Sequence, residues 1–227
     1  MLRALGRLDD ALGAYQRALA LQPAYAEAQY NLGNTLYALG RREDALLAYD
    51  RAVKLKPNDA NAQLNRANTL KDLGQLQQAL QGYERSLQLA PQSIAAQTNR
   101  ANVLQRLGQF EAALAAVEQV LRLKPDLVQV HCNRGNLLRD LCRLDKALAA
   151  YETALSLDPR AVDAHSIRLL TLHYRDADNQ PRQQAALRAF AACFQAAPHR
   201  PTPVASTATS PLGHRPNRCL QPDTHPN

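Results

Sequence analysis

The sequence predicts an all-α fold: a solenoid of stacked two-helix units rather than one globular core. Two sets of observations predict it. Pro23, Pro57, Pro91, Pro125 and Pro159 lie 34 residues apart at every step, and Gly6, Gly40, Gly74 and Gly108 keep the same step. Ala, Leu, Gln and Arg dominate and tryptophan is absent, which favours helix and leaves Leu and Tyr to supply bulk. A solenoid offers a long concave face rather than a buried pocket, and its function is to be sought on that face.

Each element follows from the repeat. The chain starts inside a unit, so its first helix, near 8–22, is a second helix without a first-helix partner. Leu8, Leu12, Tyr15 and Leu19 fall on one side of it, and an uncapped end of this kind predicts fraying or self-association. Helices are then expected near 25–39, 42–55, 59–73, 76–89, 93–107, 110–123, 127–141, 144–157 and 161–174. The Gly column ends each first helix in a left-handed residue, a conformation that glycine adopts cheaply. In the fourth unit Cys142 takes that place, at a cost of about 1 kcal/mol. The Pro column closes each second helix, because proline cannot continue it. Ala11, Ala45, Ala79, Ala113 and Ala147 let helix backbones approach. Leu12, Leu46, Leu80, Leu114 and Leu148, with Tyr15, Tyr49, Tyr83 and Tyr151, fill the space between; Val117 stands in once for Tyr.

The expected organisation is a partial repeat at 1–25 and four full units over 26–161, divided as 26–59, 60–93, 94–127 and 128–161. A degenerate fifth unit or cap follows at 162–197. There Leu169 replaces a small residue, Pro181 occupies the Ala column, and an alanine-rich helix runs to about 197. Residues 198–227 hold seven of the thirteen prolines and no apolar periodicity, so this segment reads as a disordered tail.

Several function classes lose support at this level. No apolar run approaches the roughly 20 residues that cross a bilayer. Met1–Gly6 has no apolar signal-peptide core, and a cytoplasmic location is expected. Cys132, Cys142, Cys193 and Cys219 show no C-x-x-C spacing and read as reduced and structurally incidental. The net charge of +7 is dispersed, as in Arg41-Arg42-Glu43-Asp44. It forms no basic block interleaved with aromatics, which disfavours nucleic acid. His131, His165 and His173 lack metal-ligand spacing, and no nucleophile–base pair stands out. No catalytic residue, metal or cofactor is expected.

Counting Ala26 as position 1, Leu32-Gly33 falls at positions 7–8, Ala45 at 20, Tyr49 at 24, Ala52 at 27 and Pro57 at 32. This pattern resembles the tetratricopeptide repeat over about residues 1–175. The resemblance implies a right-handed α-α superhelix whose first helices line the concave side.

Two polar columns lie on those first helices. Asn31, Asn65, Asn99 and Asn133 sit at position 6; Asn34, Asn68, Asn102 and Asn136 sit at position 9. Residues three apart share a helix face. Each mid-helix asparagine costs about 0.5–0.7 kcal/mol relative to alanine. Positions 12 and 2 have drifted between units while 6 and 9 have not. An amide both donates and accepts, so the two rows suit the backbone of an extended peptide, or they set the stacking of the units. A third column, Arg66, Arg100, Arg134 and Arg168, replaces the apolar residue usual at position 7. Their stems are expected to pack while the heads reach a carboxylate or the groove rim.

The Lys/Arg clamp with which one branch of the family holds chaperone C-termini is absent: position 5 reads Tyr30, Leu64, Thr98, Cys132. The Asn-Arg-Ala-Asn and Asn-Arg-Gly-Asn runs instead resemble the repeats of SPINDLY-like O-linked N-acetylglucosamine transferases. The stretch 165–175 resembles the junction with their catalytic region. The expected function is therefore a non-enzymatic scaffold that binds a protein or extended peptide in the groove. The alternative is the truncated substrate-recognition part of such a transferase, without its catalytic domain.

Overall fold

Eleven helices follow one another, with no strand among the described residues: α1 (Leu8–Leu21), α2 (Ala26–Ala38), α3 (Arg42–Leu55), α4 (Ala60–Asp72), α5 (Leu76–Leu89), α6 (Ile94–Arg106), α7 (Phe110–Leu123), α8 (Val128–Asp140), α9 (Leu144–Leu157), α10 (Val162–Arg175) and α11 (Gln180–Gln195). The structure, a computed structural model, describes the backbone of residues 7–175 and 180–195 and the side chains of 7–175 and 184–191. The nine helices expected over 25–174 are found within one residue at each end. The tail at 198–227, and Cys193, Cys219 and the Pro181 side chain, lie outside the described residues.

The joints explain the boundaries. After α2, Gly40 N–H donates to the Tyr37 carbonyl and Arg41 N–H to that of Leu36, at 3.1 and 3.0 Å. This paired closure satisfies the last free carbonyls of a helix around one left-handed residue. It recurs after α4, α6 and α8. Gly40, Gly74 and Gly108 have φ of 80°, 76° and 75°, and Cys142 has 57°. Cys142 thus adopts the conformation that its column demands, against the preference of its Cβ. Each column proline stands two residues beyond the end of a second helix.

Successive helices pack antiparallel-wise along the chain, α2 on α3, α4 on α5, α6 on α7 and α8 on α9, and each second helix also meets the next first helix. The first helices lie side by side, α2 touching α4, α4 touching α6 and α8 touching α10. The result is a right-handed superhelix with these helices inside. Its core runs as a strip: Ala45, Ala79, Ala113 and Ala147 are all fully buried, as are Tyr83 and Tyr151, with Tyr49 close behind.

One expectation needs correction. Cys132 is free and buried, but Cys142 is disulfide-bonded. The missing C-x-x-C spacing excludes only pairing between near neighbours in sequence. Whether two thiols meet depends on their approach in space, which the fold decides.

Candidate functional site: the asparagine rows of the inner helices

All eight asparagines are half-buried on the inner helices, and the two columns are not independent. The Nδ2 of Asn65 donates to Oδ1 of Asn34 at 2.9 Å and to the Tyr30 hydroxyl at 3.1 Å. The Nδ2 of Asn99 donates to Oδ1 of Asn68 at 3.0 Å. In the second and third units position 6 is therefore tied to position 9 of the unit before.

The position 9 carbonyl has a second partner from below. Tyr49, Tyr83 and Tyr151 donate their hydroxyls to Oδ1 of Asn34, Asn68 and Asn136, each at 2.8 Å. A buried phenol needs an acceptor, and the asparagine supplies it. Both lone pairs of the Asn34 and Asn68 carbonyls are then in use, leaving their Nδ2 groups for other partners. Burial pushes the Tyr151 phenol up to about 12, and it raises that of Tyr83 as well.

The pattern breaks at the third unit. Val117 replaces the tyrosine, so no phenol reaches Asn102. Asn102 makes no side-chain hydrogen bond among the described residues. Asn133 accepts only from Gln129 Nε2, at 3.3 Å. Asn31, first in its column, lines a cavity of about 260 Å³ with Glu27, Tyr30, Lys56 and Asp59.

A steric rule accompanies the tyrosines. A Cβ on Gly33 would sit 2.6 Å from the Tyr49 ring, and one on Gly135 would sit 2.3 Å from the Tyr151 ring. In the second unit position 8 is Ala67, and the space is found at Gly82 instead, where a Cβ would come within 2.8 Å of the Ala67 methyl. Every full unit with a tyrosine thus has a glycine at position 8 or 23. The unit with Val117 has alanine at both, Ala101 and Ala116.

The arginine column turns elsewhere. Position 7 lies about 100° around the helix from position 6. Arg66 Nε donates to Asp50 Oδ1, while Arg100 and Arg134 reach Glu84 and Glu118 at 3.6 Å. Each carboxylate belongs to the second helix of the preceding unit. These pairs are a quarter to a half exposed, so each contributes about 0–1 kcal/mol. Arg168 has no such bond among the described residues, and its Nε is buried without a partner.

Two further columns escaped the sequence reading although their signal, the 34-residue step, was present. One is the carboxylate column Asp50, Glu84, Glu118 and Glu152, sixteen residues before each arginine; where position 7 is Leu32, the matching residue is Gln16. The other is position 4, Gln29, Gln63, Gln97, His131 and His165. Gln63 Nε2 donates to the Pro57 carbonyl at 3.2 Å, and His131 and His165 meet the carbonyls of Pro125 and Pro159 at 2.8 and 3.0 Å. These side chains close the backbone at the unit boundary, which gives both histidines a structural task.

Among the described residues no group of three His, Cys, Asp or Glu could hold a metal ion, and no helix is long and apolar enough to cross a membrane. What the inner face offers is a row of half-buried amides.

Comparison with known proteins agrees with the geometry. Family profiles described as TPR repeat match residues 1–40 and 33–74, and profiles described as Tetratricopeptide repeat match 58–126 and 128–160. Among curated proteins none matches the chain in sequence. Several solved structures share the fold. MamA from Desulfovibrio magneticus RS-1 is 22% identical with a TM-score of 0.68, over 75% of this chain and 93% of that one. YrrB, described as a TPR protein with an unusual peptide-binding site, is 22% identical with a TM-score of 0.68, over 81% and 93%. TTC0263, a TPR protein of Thermus thermophilus, is 28% identical with a TM-score of 0.54, over 75% and 93%. The chain belongs to the tetratricopeptide repeat proteins.

Proposed function

We propose that this tetratricopeptide repeat protein is a non-enzymatic scaffold whose inner face holds an extended segment of a partner protein. The contacts are made by the amides of Asn31, Asn34, Asn65, Asn68, Asn99, Asn102, Asn133 and Asn136. Arg66, Arg100, Arg134 and Arg168 act at the rim, three of them held by carboxylates. The observation that carries the reading is the amide row itself: eight half-buried amides on adjoining inner helices, retained where neighbouring groove positions vary. A peptide backbone repeats its donors and acceptors whatever its side chains, so amides that do both can track it. YrrB, a structural neighbour described as a TPR protein with an unusual peptide-binding site, points the same way. The resemblance of the Asn-Arg-x-Asn runs to transferase repeats is compatible with a groove of this kind and adds no catalytic step to it.

The amide-to-amide bonds link neighbouring units, so the test must separate binding from stacking. The probe is an acetylated and amidated peptide of alternating threonine and alanine, about ten residues long. At about 3.3 Å per residue it spans roughly three units stacked about 10 Å apart. Replacing Asn65, Asn99 and Asn133 together by alanine should weaken its binding by about 0.5–1.5 kcal/mol per lost hydrogen bond. Helix content should hold or rise. Asn34 and Asn68 keep their tyrosine donors, so no buried acceptor is orphaned and melting should change little. A row that served stacking alone would show a lower melting temperature and unchanged affinity.

A further inference from the structure

The geometry points to Asn102, with Asn133 beside it, as the place on the inner face where an extended peptide is held by a two-point amide contact. The inference rests on the peptide-binding reading above and says which part of the row does most of the binding.

A two-point contact with a peptide unit needs one side chain to accept from the ligand N–H and donate to the ligand carbonyl. At Asn34 and Asn68 the carbonyl already accepts from a buried tyrosine and from the next unit's amide. These residues can only donate. Asn136 has one carbonyl position taken by Tyr151. Asn65 spends both of its N–H donors and Asn99 one of its two on their neighbours. Asn102 has both ends of its amide unspent, as does Asn31 at the start of the row, but Asn102 has row amides on both sides, and Asn133 in the next unit has its whole Nδ2 group to offer.

The cause is Val117. It is 2% exposed and fills the tyrosine's place with apolar atoms alone, so it asks nothing of Asn102. The small residues change with it: Ala101 stands where Gly33 and Gly135 leave room for the Tyr49 and Tyr151 rings, and Ala116 stands where Gly82 leaves room for the Ala67 methyl. The third unit is therefore a packed variant of the others rather than a damaged one. It differs from them in the hydrogen-bonding state of one groove amide.

The surroundings suit the same ligand. Thr98, one turn before Asn102, is half-exposed, and Ala95 and Gln129 are exposed, so this side of Asn102 is uncharged; the exposed Arg106, one turn after it, reaches across to the Lys71 carbonyl. An uncharged strand with small side chains fits the uncharged side, which is the chemistry of the threonine–alanine probe.

The test compares full-length variants by fluorescence anisotropy with that labelled probe, each checked for helix content. Asn102→Ala removes both contacts and should weaken binding about 5- to 100-fold, with little change in melting. Asn68→Ala removes at most one contact and should weaken it about 2- to 10-fold. It should also lower the melting temperature, because Tyr83 loses its acceptor. A second variant, Ala101→Gly with Val117→Tyr, rebuilds the arrangement of the first and fourth units. It returns a phenol to the Asn102 carbonyl and should weaken the probe about 2- to 10-fold relative to Ala101→Gly alone. Equal or greater loss from Asn68→Ala than from Asn102→Ala overturns the inference, as does unchanged binding in the rebuilt variant. No binding of the probe to the unaltered chain overturns the peptide-binding reading itself, and this inference with it.

Discussion

Replacing Gly135 by alanine puts a methyl group 2.3 Å from Cε1 of Tyr151, a ring with no exposed surface. Overpacking of this kind costs about 1–3 kcal/mol. Alanine returns roughly 0.5–1 kcal/mol through its helix preference over glycine, so the net effect is a destabilisation of about 0–2.5 kcal/mol. The same change should reverse sign where the ring is gone. With Tyr151→Val the fourth unit has the third unit's pairing of small residue and valine, and Gly135→Ala should then stabilise by about 0.5–1 kcal/mol. The coupling between the two sites is thus about 1–3 kcal/mol, in the range seen for residues in contact. Urea denaturation of the four chains, followed by helical circular dichroism, measures it. Solenoids need not unfold in two states, so transition slopes should be checked for constancy before midpoints are compared. An equal effect of Gly135→Ala in both backgrounds would refute the claim that ring and small residue compensate each other.

Three further outcomes are expected. The Tyr151 phenol is raised from 10.0 to about 12 by burial, so the unfolded chain ionises first. Its stabilising contribution should be complete below pH 10 and lost as pH rises toward 12, and Tyr151→Phe should flatten that slope in denaturation midpoints. Arg66 and Asp50 are about a third exposed, so a double-mutant cycle should give a coupling below about 1 kcal/mol that shrinks in high salt. Cys142 stands at φ 57°. Under reducing conditions, where its disulfide is open, Cys142→Gly should stabilise by about 0.5–1 kcal/mol in thermal melts.

The sequence made the helices legible because each boundary has its own residue. Glycine marks one end and proline the other, and both act through the backbone, so their positions alone place the joints. The rows of asparagine and arginine were legible for the same reason, as columns. What each side chain bonds to was harder to read. Asn34 meets Asn65 and Tyr49, partners thirty-one and fifteen residues away, and only the packing of three helices brings them together. The carboxylates that receive Arg66, Arg100 and Arg134 kept the same step and could have been found by asking which column shares the arginines' exception at Leu32. The state of Cys142 was not available from spacing, since it depends on where the chain returns in space.

If the inner amides hold an extended peptide, their own NMR resonances report it. In the full chain with ¹⁵N in asparagine side chains, titration with the capped threonine–alanine peptide should shift the Nδ2 resonances of the row. The largest movements should fall at Asn102 and Asn133. Saturation with the resonances of the row unmoved, or with shifts confined to asparagines off the inner face such as Asn58, would contradict the account.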